Sequence, residues 1–252
     1  MKKIFLLLLF LSQGVFAQSA DDLFAKANDE YKQEKYNEAI KTYEQIEGLG
    51  VISTELYYNL GNCYYKLNEV APSIYNYEKA LLLNPLNEDA QNNLVFARRL
   101  TIDNIEELPK SVFQKIDENF VKKLSYNEWA IVSVSLSIIG AFLFLLFYFS
   151  YTPTKKRLFF VTSILSFLLL VASSIFAIKE HSYSKTNIQA IIFIQQTEIK
   201  NAPTSNSEVI FTLHEGTKVD VLDTVDNWKK IRIADGKIGW VISDEIKLLN
   251  VF

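Results

Sequence analysis

The chain has 252 residues, is 49% hydrophobic and carries a formal net charge of −3. That balance disfavours nucleic acid as a partner, and the single cysteine, Cys63, excludes an intramolecular disulfide framework. With two histidines, His181 and His214, no Cys/His zinc site can be assembled; no phosphate-cradling glycine motif occurs, and no metal, cofactor or catalytic residue is expected.

Residues 1–17 place Lys2 and Lys3 before an apolar run from Ile4 to Leu11 and end in Val15-Phe16-Ala17, the pattern of a secretory signal cleaved after Ala17. Cleaved or not, such a signal exports residue 18 onward. The residue directly after the cleavage point is Gln18 and not a cysteine, so a lipid anchor is not expected.

Residues 18–102 repeat with a period of 34. Phe24 aligns with Tyr58, Ala27 with Gly61, Asn28 with Asn62, Tyr31 with Tyr65, Lys32 with Lys66, Ala39 with Ser73, Ile40 with Ile74 and Tyr43 with Tyr77. This is the tetratricopeptide pattern of paired antiparallel helices, with repeats at about 20–53 and 54–87. Helices are expected at 20–33, 36–48, 54–67 and 70–83, the last stopped by Asn84-Pro85. Residues 87–102 supply a fifth, capping helix with Ala90, Leu94 and Ala97 inward, because a repeat buries its apolar face only against a neighbour. The region holds 13 acidic against 8 basic residues, a mild excess that suits a solvated surface. Cys63 reads as a packed small residue. In tetratricopeptide domains the first helices usually line a concave peptide groove. The resemblance therefore implies Phe24, Asn28, Tyr31, Lys32, Tyr58, Asn62, Tyr65 and Lys66 as protein-binding residues; packing and capping is the competing role for each.

Residues 103–128 form a connection. Within it, Ser111 to Leu124 sets Phe113, Ile116, Phe120 and Leu124 on one helical face, which suits either a helix on the membrane surface or one packed on the repeats. Residues 129–150 and 158–178 contain no Asp, Glu, Lys, Arg or His, and each rises about 30 Å as a helix, the thickness of a bilayer core. The first is preceded by Ser125-x-x-Glu128, a capping box. The intervening loop, 151–157, carries Lys155, Lys156 and Arg157 and is expected in the cytoplasm. Both flanks then face outward, in the periplasm of an inner-membrane protein. The lack of an intramembrane charge argues against a transporter. Small residues at Ser133, Ser137, Ala141, Thr162, Ser166, Ser173 and Ala177 suit close helix packing, of the hairpin on itself or against a partner.

The period changes in residues 179–252. Short alternating runs at 189–194, 197–203, 207–213, 217–225, 228–234, 237–242 and 246–249 are separated by turn residues at Asn201-Ala202-Pro203, His214-Glu215-Gly216, Asp226-Asn227 and Asp235-Gly236. The order of a proline-bearing turn, Leu-x-x-Gly-Thr, a strand-leading Trp228 and Asp-Gly-Lys-x-Gly-Trp-Val resembles bacterial SH3 domains, small all-β barrels that bind cell-wall peptide or protein. Trp228 and Trp240 are the candidate contacts, with Trp240 expected to complete the core.

The fold class is thus an all-α tetratricopeptide solenoid, two transmembrane helices and a small SH3-like barrel. Signal, repeats, hairpin and barrel in that order resemble the BatE proteins of the Bacteroides aerotolerance operon. The resemblance implies an envelope protein working beside membrane proteins with von Willebrand A domains and a MoxR-type ATPase. It points to a membrane-anchored scaffold for protein partners; the alternative is a sensor or tether whose barrel binds peptidoglycan.

Overall fold

The computed structural model describes residues 20–106 and 108–249; the expected signal at 1–17 lies outside them. The chain divides into two compact units. One holds the N-terminal helices and the C-terminal strands; the other comprises Leu108–Ile188 with Asn84–Leu86.

In the first unit, α1 (20–32), α2 (Tyr36–Gly48), α3 (Thr54–Lys66) and α4 (Val70–Leu83) form two antiparallel pairs, followed by α5 (Glu88–Arg98). Each pair turns through a left-handed residue one period apart, Glu34 (φ 61°) and Asn68 (φ 60°). Side chains cap the later helices: Ser53 accepts from the Leu56 N–H at 3.1 Å and Asn87 from the Ala90 N–H at 2.9 Å, each satisfying an amide that the first helical turn leaves without a partner. The small residues lie where the helices cross. Ala27, Ala39 and Ser73 are buried, and a Cβ on Gly61 would stand 2.7 Å from the Tyr77 ring. Ala90, Leu94 and Ala97 of α5 are buried as expected.

The seven expected strands are all present: β1 (Ile188–Ile192), β2 (Gln196–Lys200), β3 (Val209–His214), β4 (Lys218–Val225), β5 (Trp228–Arg232), β6 (Ile238–Ile242) and β7 (Ile246–Leu248). They pair in the order β3-β2-β6-β5-β4-β1-β7. Every strand sends at least one residue into one core, including Ala190, Ile192, Ile199, Leu213, Val219, Ile231, Val241 and Ile246, so the sheet is rolled around it. Trp240 departs from expectation. Its neighbours Gly239 and Val241 face inward, Gly239 so close to Ile199 and Ile210 that a Cβ would not fit, and strand alternation puts Trp240 on the outward face, half-buried.

The helices and the rolled sheet share a second core. Val70, Ala71, Ile74 and Tyr77 of α4 and Leu94 and Ala97 of α5 cluster with Ile191 and Leu249, and Phe193 stands edge-on to Tyr75 at 5.5 Å. Two carboxylates fix this contact. Glu78, almost fully buried, accepts from Arg98 at 2.5 Å and from Lys218 at 2.7 Å. Asp103 accepts from the His214 amide at 2.7 Å and from the Thr217 hydroxyl at 2.6 Å, with His214 Nδ1 at 2.7 Å from its other oxygen. Between them Gly216 (φ 83°) comes so near the helices that a Cβ would lie 2.8 Å from Thr101 and 2.9 Å from Ile74. The turn expected at His214-Glu215-Gly216 is present at Glu215-Gly216, while His214 closes β3 and takes part in this contact.

In the second unit α7 (Tyr126–Phe149) and α8 (Pro153–Thr186) are each long and apolar enough to cross a membrane. They form an antiparallel hairpin, Trp129 lying 5.0 Å from Phe176 at one end and Phe147 5.3 Å from Phe160 at the other. The capping box is present in both directions at Ser125 and Glu128. The small residues pack the hairpin on itself: Ser133 and Ser173 hydroxyls are 2.8 Å apart and Ser166 donates to the Leu136 carbonyl at 2.9 Å. The helix α8 begins at Pro153, inside the segment expected as loop, because proline is preorganised for a first helical turn. The amphipathic stretch also differs. It is two pieces, α6 (Val112–Asn119) and a 3-10 turn at Val121–Lys123, broken at Phe120 (φ −129°).

Burial alone would push the Glu78 carboxyl up, but Lys218 and Arg98 outweigh it and hold it below the ordinary 4.5. Its contribution is therefore fully present above that value and lost as pH falls through the lower folded value. Asp103, held below 3.8 by Thr217 and His214 against its own desolvation, acts in the same direction. Acid titration of the detergent-solubilised protein, followed by tryptophan fluorescence, should show stability falling below about pH 4.5. Glu78→Gln should cost about 1–3 kcal/mol at neutral pH and flatten that acid limb.

Candidate functional site

The period of 34 copies a hydrogen-bonded cluster as well as a fold. In the first copy Asn28 Oδ1 accepts from the Tyr43 hydroxyl at 2.6 Å and from Asn59 Nδ2 at 3.2 Å. In the second, Asn62 Oδ1 accepts from Tyr77 at 2.7 Å and from Asn93 Nδ2 at 2.8 Å. Phe24 and Tyr58 lean on Tyr43 and Tyr77 with ring centroids 5.7 and 6.2 Å apart. Each cluster ties a first helix to its own second helix and to the first helix of the next repeat. Burial pushes the Tyr43 and Tyr77 hydroxyls up, so both remain donors at neutral pH. Asn93 stands one period after Asn59, which makes α5 the first helix of a third repeat.

The sequence-derived set separates on this scaffold. Tyr31, Tyr58, Asn62, Tyr65 and Lys66 line one cavity of about 240 Å³, together with Asn93 and Phe96. Phe24 and Asn28 are half-buried in helix packing, and Lys32 is exposed outside the lining. Phe96 was missing from the sequence-derived set, although it falls one period after Asn62 and the same offset points to it. The cavity offers aromatic walls, phenolic hydroxyls, two side-chain amides and one ammonium. Among the described residues neither Lys32 nor Lys66 has an acidic partner. That chemistry suits a short peptide segment with polar or acidic groups. Cys63, buried behind this wall, has its thiol pushed up to about 12 by burial, which keeps it protonated and unreactive.

A second surface lies on the rolled sheet. Cross-strand pairing sets Lys200, Trp240 and Lys230 side by side across β2, β6 and β5, and Trp228 opposite Ile242 on the same face. Lys230 Nζ is 5.9 Å from the Trp240 ring centroid, and both tryptophans are half-buried. The face combines two aromatic edges with cations.

Residues 54–87 match the family model described as a tetratricopeptide repeat. Residues 197–247 match that of a bacterial SH3 domain. The chain carries one module of each kind. No curated protein matches it. Both are typically non-catalytic binding modules, for protein and, with the SH3 type, also for peptidoglycan.

The two halves of the site should separate by mutation. Asn62→Ala removes the shared acceptor of Tyr77 and Asn93 and should cost about 1–3 kcal/mol of unfolding free energy by denaturant titration. Lys66→Ala, at an exposed position without an acidic partner among the described residues, should stay within about 0.5 kcal/mol of wild type.

Proposed function

We propose that the protein is a membrane-anchored envelope scaffold whose repeat groove holds a protein partner and whose SH3 domain makes a second contact. The observation that carries this reading is the joining of both binding modules into one body, next in sequence to two membrane-length helices on either side. Two weak contacts held on one anchored body reinforce each other through effective concentration, so neither has to be tight. The groove residues are Tyr31, Tyr58, Asn62, Tyr65 and Lys66, with Asn93 and Phe96 added; Trp228 and Trp240 serve the second face.

Packing of the repeats on the SH3 domain also supports the topology. Segments before and after an even number of spans lie on the same side, and SH3 domains of this bacterial type suggest the periplasm. The reading is therefore an export signal at 1–17, spans at 129–150 and 158–178, and both soluble parts periplasmic at the inner membrane. The likeness to BatE proteins in order of parts supplies the partner class, membrane proteins with von Willebrand A domains in an aerotolerance or stress complex. The outward Trp228–Trp240 face favours a second reading, a tether in which that face grips peptidoglycan.

Cross-linking and purification of the tagged full-length protein from native membranes tests both. Tyr65→Ala/Lys66→Ala should lose von Willebrand A partners while Trp228→Ala/Trp240→Ala keeps them. Partners kept by the groove variant remove the groove from the scaffold. Co-sedimentation with purified cell wall that only the tryptophan variant loses establishes the tether instead.

A further inference from the structure

The connection between the repeats and the hairpin has a face that no described residue covers. Among the described residues of α6 none is buried, and the apolar stripe is open: Phe113 is 83%, Ile116 54% and Phe120 58% exposed. Its opposite side carries Gln114 and Glu118, the latter paired with Lys110 at 3.0 Å. The helix nonetheless has a defined start, with a capping box at Ser111 and Gln114. It is also fastened to the hairpin. Trp129 Nε1 donates to the Val121 carbonyl at 2.9 Å, and the Phe120 ring packs on Trp129 at 5.9 Å and on Phe176 at 6.0 Å. Asp117 pairs with Lys179, and Lys122 lies 4.1 Å from the Tyr183 ring centroid.

These fastenings fix a level. Trp129 opens the first uncharged stretch and Phe176 nearly closes the second, so Phe120 sits where both helices pass from apolar to polar surroundings. Polar anchors beyond that level, Lys179, His181 and Tyr183, belong to the same collar; the His181 ring meets that of Tyr126 edge-on at 5.2 Å. The open stripe of α6 is thus continuous, through Phe120, with the apolar outside of the hairpin.

We propose that α6 is a third membrane contact, an amphipathic helix lying in the interface of the bilayer that α7 and α8 cross. Phe113, Ile116 and Phe120 enter the acyl boundary, while Lys115, Lys122 and Lys123 stay among the headgroups, as long cationic side chains do. The occupant of the stripe is lipid. A protein partner would have to displace a surface already at bilayer level. The proposal rests on reading α7 and α8 as spans.

Full-length protein in liposomes tests it, with an environment-sensitive fluorophore on a single introduced cysteine, since Cys63 is buried. Three variants suffice: Phe113→Cys on the stripe, Glu118→Cys opposite it, and Ile138→Cys on the outside of α7. The Phe113 label should be blue-shifted, quenched by lipid-borne nitroxide and shielded from aqueous iodide; the Glu118 label should show the reverse. A lipid-quenched Ile138 label with equal iodide quenching at Phe113 and Glu118 overturns the interfacial helix and leaves the spans intact. Iodide quenching at Ile138 overturns the spans and the proposal with them.

Discussion

The carboxylate of Glu78, closed off from water between Arg98 and Lys218, is the interaction on which the soluble body depends. An ionised group this buried is tolerable only while both cations are in place, because its desolvation is offset by them and by little else. One cation comes from α5 and the other from β4, so the charge is satisfied only when repeat helices and sheet are assembled together. Asp103 repeats the logic a short way along the chain with His214 and Thr217. Apolar contact at Ile74, Ile191 and Phe193 supplies non-directional attraction, and the two carboxylates supply its register.

The same residues explain how so short a solenoid ends. Glu44 in α2 accepts from Tyr64 of the following helix, and one period later Glu78 accepts from Arg98, the same 20 residues on. A third repeat would next bring a second helix against α4. The chain provides the SH3 domain there instead, with Lys218, Ile191 and Phe193 against the α4 surface. The end of a repeat array needs a cap whose outer face tolerates water. A folded domain meets that need and adds a binding face.

Much of this was legible in the sequence because it is local or periodic. The 34-residue offset yields α1 to α4 almost to the residue, and short alternating runs yield all seven strands. It also yields five of the cavity-lining side chains, since residues one period apart occupy equivalent places. What escaped depends on distant partners. Asp103 and His214 are 111 residues apart and Glu78 and Lys218 are 140 apart, with no pattern to couple them. The side on which Trp240 falls was set by the close approach of Gly239 to Ile199, a matter of strand register that hydrophobicity alone misreads. Composition treated Asn28 and Asn62 as ligand donors or caps alike; only geometry showed their oxygens already taken by tyrosine.

The clasp between repeats and SH3 domain also imposes an order of events in synthesis. Tyr75 bonds the carbonyl of Leu248, 173 residues later, so α4 is made, and on the anchored reading exported, long before its cover exists. Until then Val70, Ala71 and Ile74 lack the sheet that covers them, and Glu78 has Arg98 but not yet Lys218. That half-finished surface is unstable and sticky, the kind that chaperones and proteases read. On the anchored reading, only a chain that has threaded both apolar helices and returned its last strands to the same compartment can close it. On that reading the interface can form only when the two ends of the chain share a compartment, so its closure depends on how the hairpin between them was inserted.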